Sequence, residues 1–140
     1  MNYVEWSRKW PEAAAELLDL VGAAESEAQH PGMSEASVQQ RIRLQHQQIG
    51  GRLWRNNSGV LTDTDGRPVR YGLANDSSKI NKLIKSSDLI GITPVNGVGV
   101  FTAIEVKKGD WKFSGSDREL AQLRFIMLVQ SMGGIGRFQR

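Results

Sequence analysis

Two neighbouring apolar segments constrain the fold of this chain most strongly. SDLIGIT (87–93) reads as a buried strand, and VFTAIEVK (100–107) follows it after the turn-forming Asn96-Gly97-Val98-Gly99. The pattern predicts that the second segment is the antiparallel hairpin partner of the first. Because side chains alternate along a strand, each polar residue in these segments is assigned to one face of the sheet.

Further elements are predicted on both sides of this hairpin. Helical segments are expected over residues 11–29, over 34–49, and from the capping box Ser116-Asp117-Arg118-Glu119 to Met132. Short strands are expected at 52–55, 59–62, 68–73 and 136–139, with Asp65-Gly66 as a hairpin turn and one or two helical turns at 79–85. This order predicts an α/β or α+β domain around one sheet.

Composition narrows the class of protein. A chain of 140 residues can bury a core as one domain, and the absence of cysteine excludes a disulfide framework, a thiolate zinc site and a thiol nucleophile. No apolar run approaches the roughly 20 residues that span a bilayer, and the first residues lack the pattern of a signal peptide. We therefore expect a cytoplasmic protein with no membrane association.

The charge is unevenly distributed along the chain. Residues 1–33 carry two basic and six acidic side chains, whereas the other 107 residues carry sixteen basic and nine acidic ones. A body with such an excess of positive charge attracts polyanions, which makes nucleic acid a reasonable partner. The alternative is a solvated surface whose charge serves solubility alone.

Acidic side chains converge on the predicted hairpin. Glu105 and Lys107 share one face of the second strand, and pairing of the two strands brings Asp88 near Glu105. Two adjacent carboxylates need a cation to stay ionised, and a hard divalent metal with bound waters meets that need. Glu35 lies on the apolar stripe of the second helix with Val38, so it either faces solvent at the helix start or supplies a third acid to the site.

These residues resemble the D…(D/E)-x-K core of the PD-(D/E)XK nucleases, with Asp88 followed after sixteen residues by Glu105-Val106-Lys107. The wider pattern is similar to the VRR-NUC family over roughly residues 34–140. It comprises Glu35, Arg55-Asn56-Asn57-Ser58-Gly59, Ser87-Asp88-Leu89-Ile90-Gly91, Ala103-Ile104-Glu105-Val106-Lys107, Gln122 and Gly133-Gly134. No proline precedes Asp88, and residues 1–33 match nothing in the family.

The resemblance implies a restriction-endonuclease-like core: a central mixed sheet flanked by helices, here with an extra N-terminal helix. It also implies that Glu35, Asp88, Glu105 and the Val106 carbonyl hold one or two Mg²⁺ or Mn²⁺ ions. Lys107 would orient and stabilise the attacking water or a phosphate oxygen, since a lysine with a reference pKa of about 10.4 is a poor base. Gln122 would orient that lysine, the water or the DNA, or would be a buried amide satisfied by main chain.

Basic residues near these segments are candidates for binding DNA phosphates beside the cut. Arg52 and Arg55 lie around the predicted small hairpin, and Lys79, Lys82 and Lys85 lead into Asp88. For each of them a solvated charged face is an equally good interpretation.

Stand-alone VRR-NUC proteins resemble dimeric four-way-junction resolvases and are often encoded by phages. The resemblance therefore implies a structure-specific DNA endonuclease that resolves Holliday junctions as a homodimer, with residues 1–33 as a dimer element and 34–140 as the nuclease domain. Two alternatives stay open: a flap- or duplex-directed nuclease of the same fold, and a catalytically inactive DNA-binding or scaffold protein.

Overall fold

A computed structural model describes residues 1–24 and 32–140. In chain order the elements are α1 (Tyr3–Lys9), α2 (Pro11–Leu20), α3 (Glu35–Gln48), β1 (Arg52–Arg55), β2 (Gly59–Thr62), β3 (Pro68–Tyr71), α4 (Ser78–Leu83), β4 (Leu89–Val95), β5 (Val98–Val106), α5 (Asp117–Ser131) and β6 (Ile135–Gln139). The molecule is an α/β protein with a mixed sheet of four strands in the order β1-β4-β5-β6, and β2 and β3 form a separate hairpin.

The predicted central hairpin is present and sets the register of the sheet. Leu89 lies opposite Ile104, and the pairing continues to Val95 opposite Val98. The two-residue turn Asn96-Gly97 has φ of 49° and 79°, which is the type I′ geometry that Asn-Gly favours. Strand β1 adds antiparallel to β4, whereas β6 lies parallel to β5 because helix α5 carries the chain back across the sheet.

Helices cover both faces of the sheet. On one face, Val38 and Ile42 of α3 pack with side chains of β1, β4 and β5 that include Leu89, Ile104 and Val106. On the other face, α5 packs through Phe125 and Val129 against Ala103 and through Leu123 and Ile126 against Phe138. The two faces of β5 are therefore buried toward its C-terminal end, where Glu105 lies.

Residues 1–24 pack against the rest of the chain. Val21 and Ala23 are buried with Leu123, Ile126 and Phe138, and the Phe138 amide donates to the Val21 carbonyl at 2.8 Å. The helix expected over 11–29 ends at Leu20, and residues 25–29 of that prediction lie outside the described part of the chain. Much of the apolar surface that favoured a dimer element is thus covered within the same chain.

Gly22 explains the early end of α2. Its φ of +73° and the bond from the Ala23 amide to the Leu18 carbonyl form a helix-ending motif that turns the chain toward β6.

None of the described helices is both long and apolar enough to cross a membrane.

Replacement of Gly22 by alanine should therefore destabilise the protein more than the same change at Gly133. Both glycines have positive φ, so both variants carry a backbone cost of about 1–2 kcal/mol. Only at Gly22 would the new Cβ meet backbone, 2.5 Å from the Phe138 carbonyl oxygen, which adds about 1–3 kcal/mol. Urea unfolding of the two variants measures the difference, and equal losses would contradict the packing of this segment on β6.

Candidate functional site

The residues that carry the chemistry meet at one end of the central hairpin. A cavity of about 570 Å³ opens there between the β2–β3 hairpin, α4, α5 and the ends of β4 and β5. Its walls are polar, and they consist of Asn56, Asn57, Ser58, Gly59, Val60, Tyr71, Asn75, Asn81, Lys85, Ser86, Asp88, Glu105, Arg118 and Gln122.

Asp88 and Glu105 lie across from each other in the sheet. Because Leu89 pairs with Ile104, the next position along the ladder places Asp88 opposite Glu105. Main-chain bonds fix Asp88: its Oδ2 accepts from the Val106 amide at 3.0 Å, and its carbonyl accepts from the Asn56 amide at 2.8 Å. Asp88 is half-buried and Glu105 is only 4% exposed, so the pair lies at the boundary between core and cavity.

Burial raises the pKa of Glu105 to about 9 from its ordinary value of 4.5. The negative charge of Asp88 and a hydrogen bond with its carboxyl group act in the same direction, while the nearby Lys107 ammonium opposes them. At neutral pH the isolated pair therefore holds a proton, and a bound cation would displace it.

A hydrogen-bonded chain links this pair to Lys107. Gln122 on α5 is 3% exposed, and its Nε2 donates to Glu105 Oε1 at 2.9 Å. Its Oε1 accepts from Lys107 Nζ at 2.9 Å. The same Nζ lies 4.0 Å from Glu105 Oε1. Both polar atoms of the Gln122 amide thus bond to side chains of the site and not to main chain, and its orienting role stays a prediction.

Aromatic rings surround the Lys107 ammonium. Nζ lies 5.4 Å from the centroid of Trp111 and 5.8 Å from that of Phe138, distances typical of cation–π contacts. Trp111 is held in turn by a 2.8 Å bond from its indole N–H to Glu119. Burial alone would raise the pKa of Glu119, but hydrogen bonds from Ser114, Ser116 and Trp111 outweigh that effect and lower it.

Glu35 is not brought to this cavity. It is exposed in the first turn of α3 and is absent from the cavity wall, although Val38 one turn later packs with Val106. Within residues 1–24 and 32–140 there is no group of three histidine, cysteine or acidic side chains placed to hold a metal ion. The site therefore offers two carboxylates, and the role of Glu35 stays a prediction.

The basic residues expected to contact DNA divide into two groups. Lys85 lines the cavity, with its Nζ 2.5 Å from Asn81 Oδ1, and the exposed Lys79 and Lys82 precede it on α4. Arg52 and Arg55 are exposed on β1 and do not line it. Lys85 is thus the member of this set that lines the same cavity as the acidic pair.

Several residues of the cavity wall had no predicted role, among them Asn56, Asn75 and Arg118. The Asn56 amide group donates to Ser86 Oγ at 2.8 Å and to the Ser87 carbonyl at 2.9 Å, which joins β1 to the segment before Asp88. Asn75 is buried and donates to the Gly59 and Tyr71 carbonyls, while Arg118 projects from the first turn of α5. Asn56 lies within the motif Arg55–Gly59, but no local pattern marks Asn75 or Arg118.

Comparison of the chain with protein-family models, with curated proteins and with solved structures finds no match.

The raised pKa of Glu105 predicts a pH-dependent stability. The folded protein holds a proton on Glu105 that the unfolded chain releases near pH 4.5. The contribution of this proton to the free energy of unfolding is therefore full below that pH and is lost as pH rises toward about 9. The loss should reach up to about 1 kcal/mol per pH unit in EDTA. Glu105→Gln replaces the titrating carboxyl group with an amide and should reduce this dependence of stability on pH.

Urea unfolding at pH 5 and pH 8 compares the two proteins, and all other titrating groups are common to both. Identical pH slopes for the wild type and Glu105→Gln would contradict the raised pKa of Glu105.

Proposed function

We propose that this protein is a metal-dependent, structure-specific DNA endonuclease with a PD-(D/E)XK core, which cuts four-way junctions as a homodimer. The observation that supports it most is the juxtaposition of Asp88 with Glu105 on paired strands, with Lys107 two residues further on. This is the spatial arrangement that the D…ExK spacing requires. The mixed four-stranded sheet between helices is compatible with such a core.

The donor atoms at this point suit a hard divalent cation. Carboxylate oxygens are the ligands that Mg²⁺ and Mn²⁺ prefer, and Mg²⁺ is commonly held by one or two carboxylates with waters completing the octahedron. Asp88 and Glu105 supply the carboxylates at the edge of an open polar cavity, where burial and the adjacent Asp88 raise the pKa of Glu105 and a bound cation would lower it. In the proposal the Val106 carbonyl and waters complete the set, because Glu35 lies outside the cavity wall.

A bound Mg²⁺ or Mn²⁺ would supply an acidified water and polarise the scissile phosphate. The residues of the chain position the rest of the reaction. Lys107 places a fixed positive charge beside Glu105, where it stabilises negative charge on a phosphate oxygen. Gln122 holds this ammonium in place, and the rings of Trp111 and Phe138 restrict its movement.

The burial of Lys107 also supports a catalytic role, because burying an ammonium group is energetically unfavourable. Lysine is among the residues least often buried, and a buried ammonium needs hydrogen bonds and a counter-charge. Lys107 is buried, yet it makes one hydrogen bond to Gln122 and a 4.0 Å ion pair with Glu105. Lys107 does not itself line the cavity, so in the proposal a phosphate oxygen or a water would reach its remaining N–H donors beside Gln122, which does line it.

DNA is the proposed partner because the excess of positive charge lies in residues 34–140, which contain the site. A two-fold dimer would present two such sites symmetrically to a branched substrate. Residues 1–24 bury much of their apolar surface against α5 and β6 of the same chain. Their part in a dimer would therefore involve the apolar side chains left exposed, which include Val4, Trp10 and Leu20.

Cleavage of labelled DNA tests the proposal. With Mg²⁺ or Mn²⁺, the wild-type protein should introduce paired symmetric cuts in a four-way junction and should cut a 5′-flap and a linear duplex less. Lys107→Ala should lower the rate by about 100-fold or more, since it removes a preorganised charge at the phosphate. Lys108→Ala, an exposed neighbour, is the matched control and should retain full activity.

Preferred cutting of the flap or the duplex would keep the nuclease and reject the junction resolvase. Absence of metal-dependent cutting of all three substrates would reject the nuclease and favour an inactive DNA-binding protein.

A further inference from the structure

A second cavity of about 480 Å³ lies between α4 and α5, directly beside the candidate site. It shares Lys85 and Arg118 with the wall of the first cavity. The other residues that line it are Lys82, Leu83, Asp117, Leu120 and Arg124. The two cavities are therefore adjacent, and we call the second one the α4–α5 groove.

The α4–α5 groove is strongly basic. Four cationic side chains and one carboxylate line it. In the described part of the chain, none of these four cations forms an ion pair within 4.0 Å, since the ion pair found there joins Lys107 to Glu105. Concave surfaces lined by one sign of charge concentrate the electrostatic field, so this groove attracts anions more strongly than a flat solvated face would.

Hydrogen bonds between the two sides give the groove a defined width. The Lys85 amide donates to the Ala121 carbonyl at 3.0 Å, and Arg124 Nη1 donates to the Leu83 carbonyl at 3.1 Å. The second bond uses one of the five N–H groups of Arg124, so most of its donors stay free for a ligand. Arg118 is exposed in the first turn of α5 between the two cavities.

We propose that the α4–α5 groove binds the sugar-phosphate backbone of the cut strand on one side of the scissile phosphate. Arg118 and Arg124 would contact successive phosphates through their planar guanidinium groups, with Lys82 and Lys85 adding charge. The apolar side chains of Leu83 and Leu120 would lie against the sugars. With both guanidinium groups on phosphates and no amide or aromatic side chain in the lining, the groove would contact the backbone and not the bases, so the binding should be independent of sequence.

The identity of the ligand rests on the proposed nuclease function, but the binding itself needs no metal. It can therefore be measured in EDTA, apart from cleavage. The probe is a fluorescent oligonucleotide, single-stranded or annealed as a duplex or four-way junction, titrated with the full-length protein at several salt concentrations. The variants are Arg118→Ala and Arg124→Ala, with Arg137→Ala as the control for a lost positive charge.

Arg137 is a matched control because it is exposed on β6 and lies in register with Ile104, which faces α3 rather than α5. Near 0.1 M salt, each groove variant should lose about tenfold in affinity, and the slope of log K against log salt should fall by about 0.7–0.9. Arg137→Ala should change neither quantity. Arg118→Lys and Arg124→Lys keep the charge and should recover part of the affinity, which separates lost binding from lost folding.

Wild-type affinity in both alanine variants, or no binding of any probe by the wild type, would overturn the proposal that this groove binds the DNA backbone. If the groove variants bind like the wild type while metal-dependent cutting persists, the nuclease stands without it. If they lose affinity but the wild type cuts no DNA, the groove stands as a nucleic-acid site and the nuclease fails.

Discussion

The burial of Glu105 opposite Asp88 is the constraint on which the rest of the site depends. The apolar alternation of β5 carries its C-terminal end into the core, and the hairpin register leaves the two carboxylates facing each other there. Such a pair is costly without compensation, because each charge raises the free energy of the other in a poorly solvated place. Gln122 and Lys107 provide part of that compensation, and a divalent cation would provide the remainder.

Elements far along the chain support this arrangement through Lys107. The N-terminal segment pairs with Phe138 on β6, and Phe138 lies beside the lysine ammonium together with Trp111. Glu119 connects the start of α5 to Trp111, because the same carboxylate caps the helix and accepts a hydrogen bond from the indole N–H. The position of the ammonium therefore depends on packing contributed by both ends of the chain.

Local sequence information predicted the parts of the molecule that local physics determines. The Asn96-Gly97 turn fixes the register, so the meeting of Asp88 and Glu105 follows from counting along two strands. Periodicity did not find the end of α2, because Gly22 ends the helix through its positive φ, which the spacing of apolar residues does not encode. Nor could it show that Glu35 remains exposed or that Arg118 joins the cavity, since spacing along a helix gives the direction of a side chain but not its surroundings.

The central claim is that Asp88 and Glu105 form a divalent metal site, and direct measurement of Mn²⁺ binding by calorimetry or electron paramagnetic resonance tests it most directly. The account predicts that the wild-type protein binds Mn²⁺ without DNA and that Asp88→Asn weakens the binding by about 100-fold or more, since loss even of an outer-shell partner costs 10–100-fold. Asp110→Asn, an exposed carboxylate elsewhere on the surface, should bind like the wild type. Equal Mn²⁺ affinity in the wild type and Asp88→Asn would contradict the account.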